Sequence, residues 1–211
     1  MLAYTAIIGE YDSVKNQPIT DAPFVIVNSV PFDGTNVMRA RWAKLMAHRL
    51  FPGVEYILWV DGSMRLHAPC SMGALVAQHL AEHDLAVMKH PFLDCLYDDC
   101  LACLKAGKAS FEQVKATHAH YEAIRYPRGI GHTEHGMMLR RMTKPIIELC
   151  EAWFSELVRT QTTRDQWHMA PIARNMGVQY KVIPERFFDV ERHTPKQVRK
   201  RHNARWPKGF L

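Results

Sequence analysis

The sequence predicts an α/β fold: a single domain with a mostly parallel central sheet flanked by helices. Two observations carry this expectation. Apolar and alternating runs of strand length recur along the chain, and segments with helical spacing lie between them. That alternation marks a layered α/β architecture. A third observation suggests where such a sheet would work. The most strand-like run, YILWV at 56–60, leads straight into Asp61 and Gly62, and open α/β sheets hold ligands beyond the carboxyl ends of their strands.

Strands are expected at 2–8, 24–28, 55–60, 84–89, 135–140 and 178–183. A helix over 37–50 puts Val37, Trp42, Leu45, Met46 and Leu50 on one apolar side. Residues 71–82 do the same with Met72, Leu75, Val76 and Leu80, and 96–106 and 110–125 read as a helical pair broken near Gly107. The stretch 144–159 opens with Thr143 as a cap and Pro145 in its first turn. A last helix over 164–176 stops at Gly177, where a left-handed residue commonly ends a helix.

A chain of 211 residues, 47% apolar and 23% charged, suffices for one substantial core. No apolar run approaches the roughly 18–20 residues that span a bilayer. The start, MLAYTAIIGEYD, lacks a basic leader and a cleavage site, so a soluble, cytoplasmic protein with reduced cysteines is expected. Cys100 and Cys103 form a C-x-x-C with His90 and Cys95 upstream. No second pair stands at zinc-site spacing, which favours buried helix-face cysteines.

The net charge of +6 is uneven: from Arg192 onward the chain reads RHTPKQVRKRHNARWPKGFL, without an acid. This divides the chain into a domain over 1–191 and a basic tail over 192–211. Such a block stays solvated or meets something anionic, and Trp206 and Phe210 within it also fit nucleic-acid binding.

Dinucleotide and P-loop signatures are absent, as is the G-x-S-x-G of hydrolases. A phosphate-bearing ligand would therefore be held by side-chain cations or a metal. Arg41 and Lys44, three apart on the predicted helix, share a face, whereas Arg39 points elsewhere. Arginine suits phosphate through its paired donors. Asp61 could hold Mg²⁺ or Mn²⁺, with Gly62 clearing space for a ligand; the plainer reading of WVDG is a turn. Asp165 in TTRDQWH is either a complement to the helix dipole or a positioned base. KHPFLDCLYDD gathers His90, Asp94, Asp98 and Asp99, and GIGHTEHGMMLRR sets Glu134 at a strand's entry.

Taken in order, YTAIIGEYD, RARWAKLMAHRLFP, YILWVDGSM, AVMKHPFLDCLYDD, GHTEHGMMLRR and TRDQWH resemble the glycosyltransferase-like domain once filed as a domain of unknown function, found in bacteria, phages and plant mucilage-related proteins. The resemblance spans about residues 3–170. It implies a GT-A-like (Rossmann-like) nucleotide-sugar fold and transfer of a sugar from a nucleotide-diphosphate donor such as UDP-sugar. It further implies that Thr5, Ala6, Gly9 and Asp12 line the nucleotide pocket, with Arg39, Arg41 and Lys44 toward the diphosphate. Asp61, Gly62 and Ser63 would stand where the family's D-x-D motif does. His90, Asp94, Glu134, Arg164, Asp165 and Gln166 would line the sugar and acceptor side, with Asp165 orienting or deprotonating the acceptor hydroxyl. Asp61 and His193 would be the ligands of a Mn²⁺ or Mg²⁺ ion. A full D-x-D would have a second acid at position 63, where this chain has Ser63, a small polar residue as is common in the family; at Leu93 the chain departs from the family pattern, which has an arginine. The acceptor implied is a glycan, a lipid-linked group or a nucleic acid. Two alternatives stand beside this reading: a nucleic-acid-binding module acting through the tail, and a non-catalytic nucleotide-sugar binder.

Overall fold

The computed structural model describes residues 1–10, 12, 17–66, 69–184 and 190–192. Its element order is β1 (Leu2–Ala6), β2 (Phe24–Val27), α1 (Asn36–Leu45), α2 (Ala47–Leu50), β3 (Tyr56–Val60), β4 (Met64–Leu66), α3 (Met72–His79), β5 (Leu85–Lys89), α4 (Leu96–Lys105), α5 (Phe111–Ala123), β6 (Thr133–Arg141), α6 (Lys144–Thr160), a 3-10 turn (Asp165–Trp167), α7 (Met169–Met176), β7 (Lys181–Ile183) and β8 (Val190–Arg192). The α/β expectation holds. A six-stranded sheet runs in the order β2-β1-β3-β6-β5-β7, and β4 pairs with β8 in a separate two-stranded ribbon.

One strand runs against the rest. β6 is antiparallel to both β3 and β5, while β1–β2, β1–β3 and β5–β7 are parallel. Its first residues therefore lie at the edge where β3 and β5 end. Each face of the sheet is covered, as a mostly parallel sheet requires. On one side Tyr4, Trp59 and Met138 pack with Trp42 and Leu45 of α1 and with Leu149 and Trp153 of α6. On the other, Leu58, Val60 and Leu139 meet Met72 and Leu75 of α3.

Two predicted helices are interrupted. The run 37–50 breaks at Met46, whose φ of −89° and ψ of 35° leave the helical region. The expected helix over 164–176 begins as the 3-10 turn, and α7 starts only at Met169. Both breaks serve the side chains described below. Gly177 ends α7 in the left-handed conformation, φ +69°, as expected. Ser71 and Ser110 cap α3 and α5. Cys95, Cys100, Cys103 and Cys150 are buried, and all five cysteines are free thiols. Burial pushes the Cys103 thiol up to about 11, which leaves it protonated and unreactive. No helix among the described residues is long and apolar enough to cross a membrane.

Candidate functional site

β1 and β3 are parallel neighbours, so their carboxyl ends lie side by side. Asp61 follows β3 directly, and its backbone N–H donates to the carbonyl of Gly136 in β6 at 2.7 Å. A cleft of about 150 Å³ opens here, lined by Arg41, Lys44, Asp61, Ser63, Met64, Glu134, His135, Gly136, Arg164, Asp165 and Gln166. The antiparallel β6 makes this possible: its entry delivers Glu134, His135 and Gly136 to the edge where its neighbours end.

Lys44 sits at the centre. The Tyr4 hydroxyl donates to the carbonyls of Ala43 and Lys44 at 2.8 and 2.9 Å, fixing the last turn of α1. From that turn the Lys44 ammonium reaches Asp165 Oδ2 at 2.7 Å and Asp61 Oδ1 at 3.5 Å. It also lies 5.6 Å from the Trp59 ring centroid. Arg41, one turn earlier on the same face, approaches Asp165 Oδ1 with Nε at 3.3 Å and donates to the Thr163 carbonyl at 2.9 Å. Asp61 is oriented by Trp59, whose Nε1–H donates to Oδ1 at 2.7 Å.

Asp165 is only 2% exposed. Burial alone would raise its pKa, but the charges of Arg41 and Lys44 outweigh burial and hold the carboxyl far below the ordinary range. Its backbone carbonyl accepts from Trp153 Nε1 at 2.9 Å. That bond, together with the two ion pairs, accounts for the 3-10 turn: the segment is held by its contacts rather than by a helix start. His135 lies behind, with Nδ1 3.9 Å from Asp165 Oδ2 and Nε2 3.0 Å from Thr133 Oγ1. Burial drives its pKa well down, and the ring stays neutral.

A second layer braces these segments. Asp99 Oδ2 accepts from Trp167 Nε1 at 3.0 Å and pairs with His132 Nε2 at 3.2 Å. One buried carboxylate thereby ties the turn carrying Asp165 to the entry of β6. Burial raises its pKa, but the bond and charge of His132 outweigh that, and the net shift is downward. Arg164 Nη2 donates to Gln166 Oε1 at 2.5 Å.

Of the residues expected at a site, the structure brings Arg41, Lys44, Asp61, Ser63, Glu134, Arg164, Asp165 and Gln166 into one cleft. Thr5 and Gly62 adjoin it: a Cβ on Gly62 would lie 3.8 Å from Thr5 Oγ1, a buried hydroxyl with no hydrogen-bond partner among the described residues. Ala6, Gly9, Asp12, Arg39, His90 and Asp94 are not among the lining residues. Gly9 has a reason within the fold, since a Cβ there would fall 1.9 Å from the Asn36 side chain. His90 stabilises its own loop, its Nδ1 accepting from the N–H groups of Phe92 and Leu93 at 3.3 and 3.0 Å. The Leu93 departure thus falls in this loop. His193 lies outside the described residues.

Met64, His135 and Gly136 line the cleft without having been singled out. Gly136 carried a signal, because glycine inside a strand often marks a close approach. Here a Cβ would fall 2.2 Å from the terminal methyl of Met64. No group of three His, Cys, Asp or Glu side chains among the described residues is placed to hold a metal ion. A single carboxylate fits a cation that arrives with substrate phosphates rather than one held by the protein alone.

The family model of the TOD1/MUCI70 glycosyltransferase-like domain matches residues 13–202. No curated protein matches the sequence. Among solved structures, one similar chain is a glycosyltransferase involved in glycosylation of the major capsid of PBCV-1, with 11% identity, TM-score 0.42, and coverage of 78% of this chain and 66% of that one. Mouse xyloside xylosyltransferase 1 shows 12% identity, TM-score 0.43, and coverage of 72% and 53%. The galactosyltransferase LgtC, solved with donor and acceptor sugar analogs, shows 14% identity, TM-score 0.44, and coverage of 98% and 84%. The chain spans just under two thirds of the first of these and about half of the second.

Proposed function

Because this chain belongs to the TOD1/MUCI70 family of glycosyltransferase-like domains, we propose that it transfers a sugar from a nucleotide-diphosphate donor to an acceptor hydroxyl in the cleft at Asp61. The observation that carries this reading is the sharing of one ammonium, that of Lys44, by Asp61 and Asp165 at the carboxyl edge of the sheet. A charged, partly enclosed cleft at that edge suits a polar donor whose leaving group is an anion.

The donor's nucleotide lies along Gly62, with the buried Thr5 side chain beneath it. Gly62 supports the same reading. Among the described residues, a Cβ there would meet nothing closer than 3.5 Å, so their packing does not require glycine. Arg41 and Arg164 face the departing charge, and the sugar lies toward Glu134 and Gln166. A Mn²⁺ or Mg²⁺ ion brought with the diphosphate would be held by Asp61 and would neutralise part of the leaving group's charge. We place the protein in the cytoplasm, a reading supported by its free cysteines. The nucleic-acid alternative depends on the tail, which beyond Arg192 lies outside the described residues.

Calorimetric titration with UDP, GDP, UDP-glucose and UDP-galactose, with and without Mn²⁺, tests the proposal. Donor binding that Asp61→Ala abolishes is expected. A folded protein that binds none of these, nor any member of a wider donor panel, would sink it.

A further inference from the structure

Asp61 and Ser63 border the cleft from a turn that lies beyond the six-stranded sheet. The entry of this turn is fixed by the bond from the Asp61 N–H to the Gly136 carbonyl, and the Met64 N–H closes it on the Asp61 carbonyl at 2.9 Å. Its exit is β4, which pairs with β8 and not with the sheet. A side chain remote in sequence also holds that exit. Gln17, 9% exposed, donates from Nε2 to the Met64 carbonyl at 2.9 Å and accepts at Oε1 from the Leu66 N–H, also at 2.9 Å. One carboxamide thus supplies the donor and the acceptor that a neighbouring strand would offer. The segment behind Gln17 fixes its place. The Cys70 N–H donates to the Pro18 carbonyl at 2.8 Å, and the Thr20 N–H donates to the Cys70 carbonyl at 3.0 Å. Asp21 then accepts from the N–H groups of Met72 and Gly73 at 2.6 and 2.9 Å and from the Ser71 hydroxyl at 2.8 Å. Residues 17–21 form a strap whose far end grips the start of α3 and whose near end grips the exit of the Asp61 turn.

We propose that Gln17 is a positioning residue for donor binding: its carboxamide sets the turn from Asp61 to Met64, and with it the carboxylate that a donor's diphosphate, or a cation arriving with it, would meet. The proposal rests on the donor reading above. Gln17 is not among the residues lining the cleft, so it acts through the turn. Met64 and Leu66 are buried, and their backbone groups cannot be left without partners at no cost. Without the carboxamide the exit of the turn shifts to satisfy them. That shift reaches Asp61 from two directions. It passes along Ser63 within the turn, and it passes through the Met64 side chain, which fills the space beside Gly136, the residue whose carbonyl holds the Asp61 N–H.

The test separates positioning from stability. Gln17→Met keeps the length of the side chain and removes both bonds. A folded variant is expected whose UDP affinity, read by calorimetry with Mn²⁺ present, is lower by about tenfold. The indole proton of Trp59, bonded to Asp61 Oδ1, should shift in the NMR spectrum, its resonance being assigned by its loss in Trp59→Phe. Gln17→Glu keeps the acceptor for Leu66 but turns a charge toward the Met64 carbonyl, and it gives the reading where Gln17→Met does not fold. Asp21→Ala is the control, because it removes the bonds at α3 and leaves those of Gln17 in place. It is expected to lower the urea midpoint while UDP affinity and the indole proton stay unchanged. Full affinity with an unmoved indole proton in a folded Gln17 variant overturns the proposal, as does an equal loss of affinity in Asp21→Ala. If the unaltered chain binds no donor, the function proposed above fails, and the indole proton alone then decides whether Gln17 sets the turn.

Discussion

The guanidinium of Arg140, wholly buried in β6, donates through Nη2 to the hydroxyl of Tyr4 in β1 at 3.1 Å. Tyr4 in turn shares its hydrogen between the carbonyls of Ala43 and Lys44. Positive charge is thus delivered to the last turn of α1, where helix carbonyls lack partners. The same contact aims Lys44 into the cleft, so core and site are joined by one hydroxyl.

Tyr4→Phe keeps the ring packed on Trp59, at 5.0 Å between centroids, and leaves three buried polar groups short of a partner. A loss of about 1–3 kcal/mol is expected, read as a lower urea midpoint at unchanged slope. Weaker UDP binding should accompany it, because Lys44 loses its anchor. An unmoved midpoint would show that the Tyr4 link supports nothing.

His168 predicts acid sensitivity. Its ring is fully buried, Nδ1 lies 2.6 Å from Tyr121 Oη, and burial lowers its pKa from 6.5 to about 4. As pH falls through 6.5 the unfolded chain takes up a proton that the folded chain refuses, so stability is full above that pH and is lost progressively down to about 4. The loss is on the order of 3 kcal/mol. Urea midpoints measured from pH 8 to pH 4 should fall less steeply in His168→Phe than in the wild type. Parallel curves would refute the assignment.

Trp59→Phe removes the donor that orients Asp61 while keeping an aromatic ring beneath Lys44. Hydrogen bonds to charged groups contribute roughly 1.5–3 kcal/mol, and UDP affinity should drop by about tenfold or more. Calorimetry reads this directly; equal affinity would mean that Asp61 is held by Lys44 alone.

Gly136→Ala sets a methyl against the end of the Met64 side chain, which is flexible and can swing. The variant is expected to fold and to lose ligand binding, with Met64 pushed into the cleft. Adding Met64→Ala should restore binding. Failure of the double variant to bind would trace the defect to β6 itself.

Much of this was legible in the chain. The strand ending at Asp61 announced itself through five β-forming residues and an acid, and the three-residue spacing of Arg41 and Lys44 correctly gave them one face. Other features were not legible, for identifiable reasons. The reversal of β6 leaves no mark on local periodicity, because a fully buried strand reads the same in either direction. The 3-10 turn at Asp165 depends on partners far away in sequence, Lys44, Trp153 and, through Trp167, Asp99. Propensity saw an acid in a helix's first turn and could not see that tertiary contacts claim it. The expected helix over 37–50 broke at Met46 for a related reason: the Tyr4 bonds and the Lys44 ion pairs fix the turn just before it.

The reversed strand also divides its own residues between two kinds of demand. At its start, Glu134 to Gly136 border the cleft. At its end, Arg141 and, just beyond, Thr143 bind Asp84 at 3.0 Å each, on the far edge of the sheet. Changes in the first stretch can alter what the cleft accepts while the second keeps the sheet in register. A lineage could therefore rewrite one end of a single strand and inherit the other unchanged.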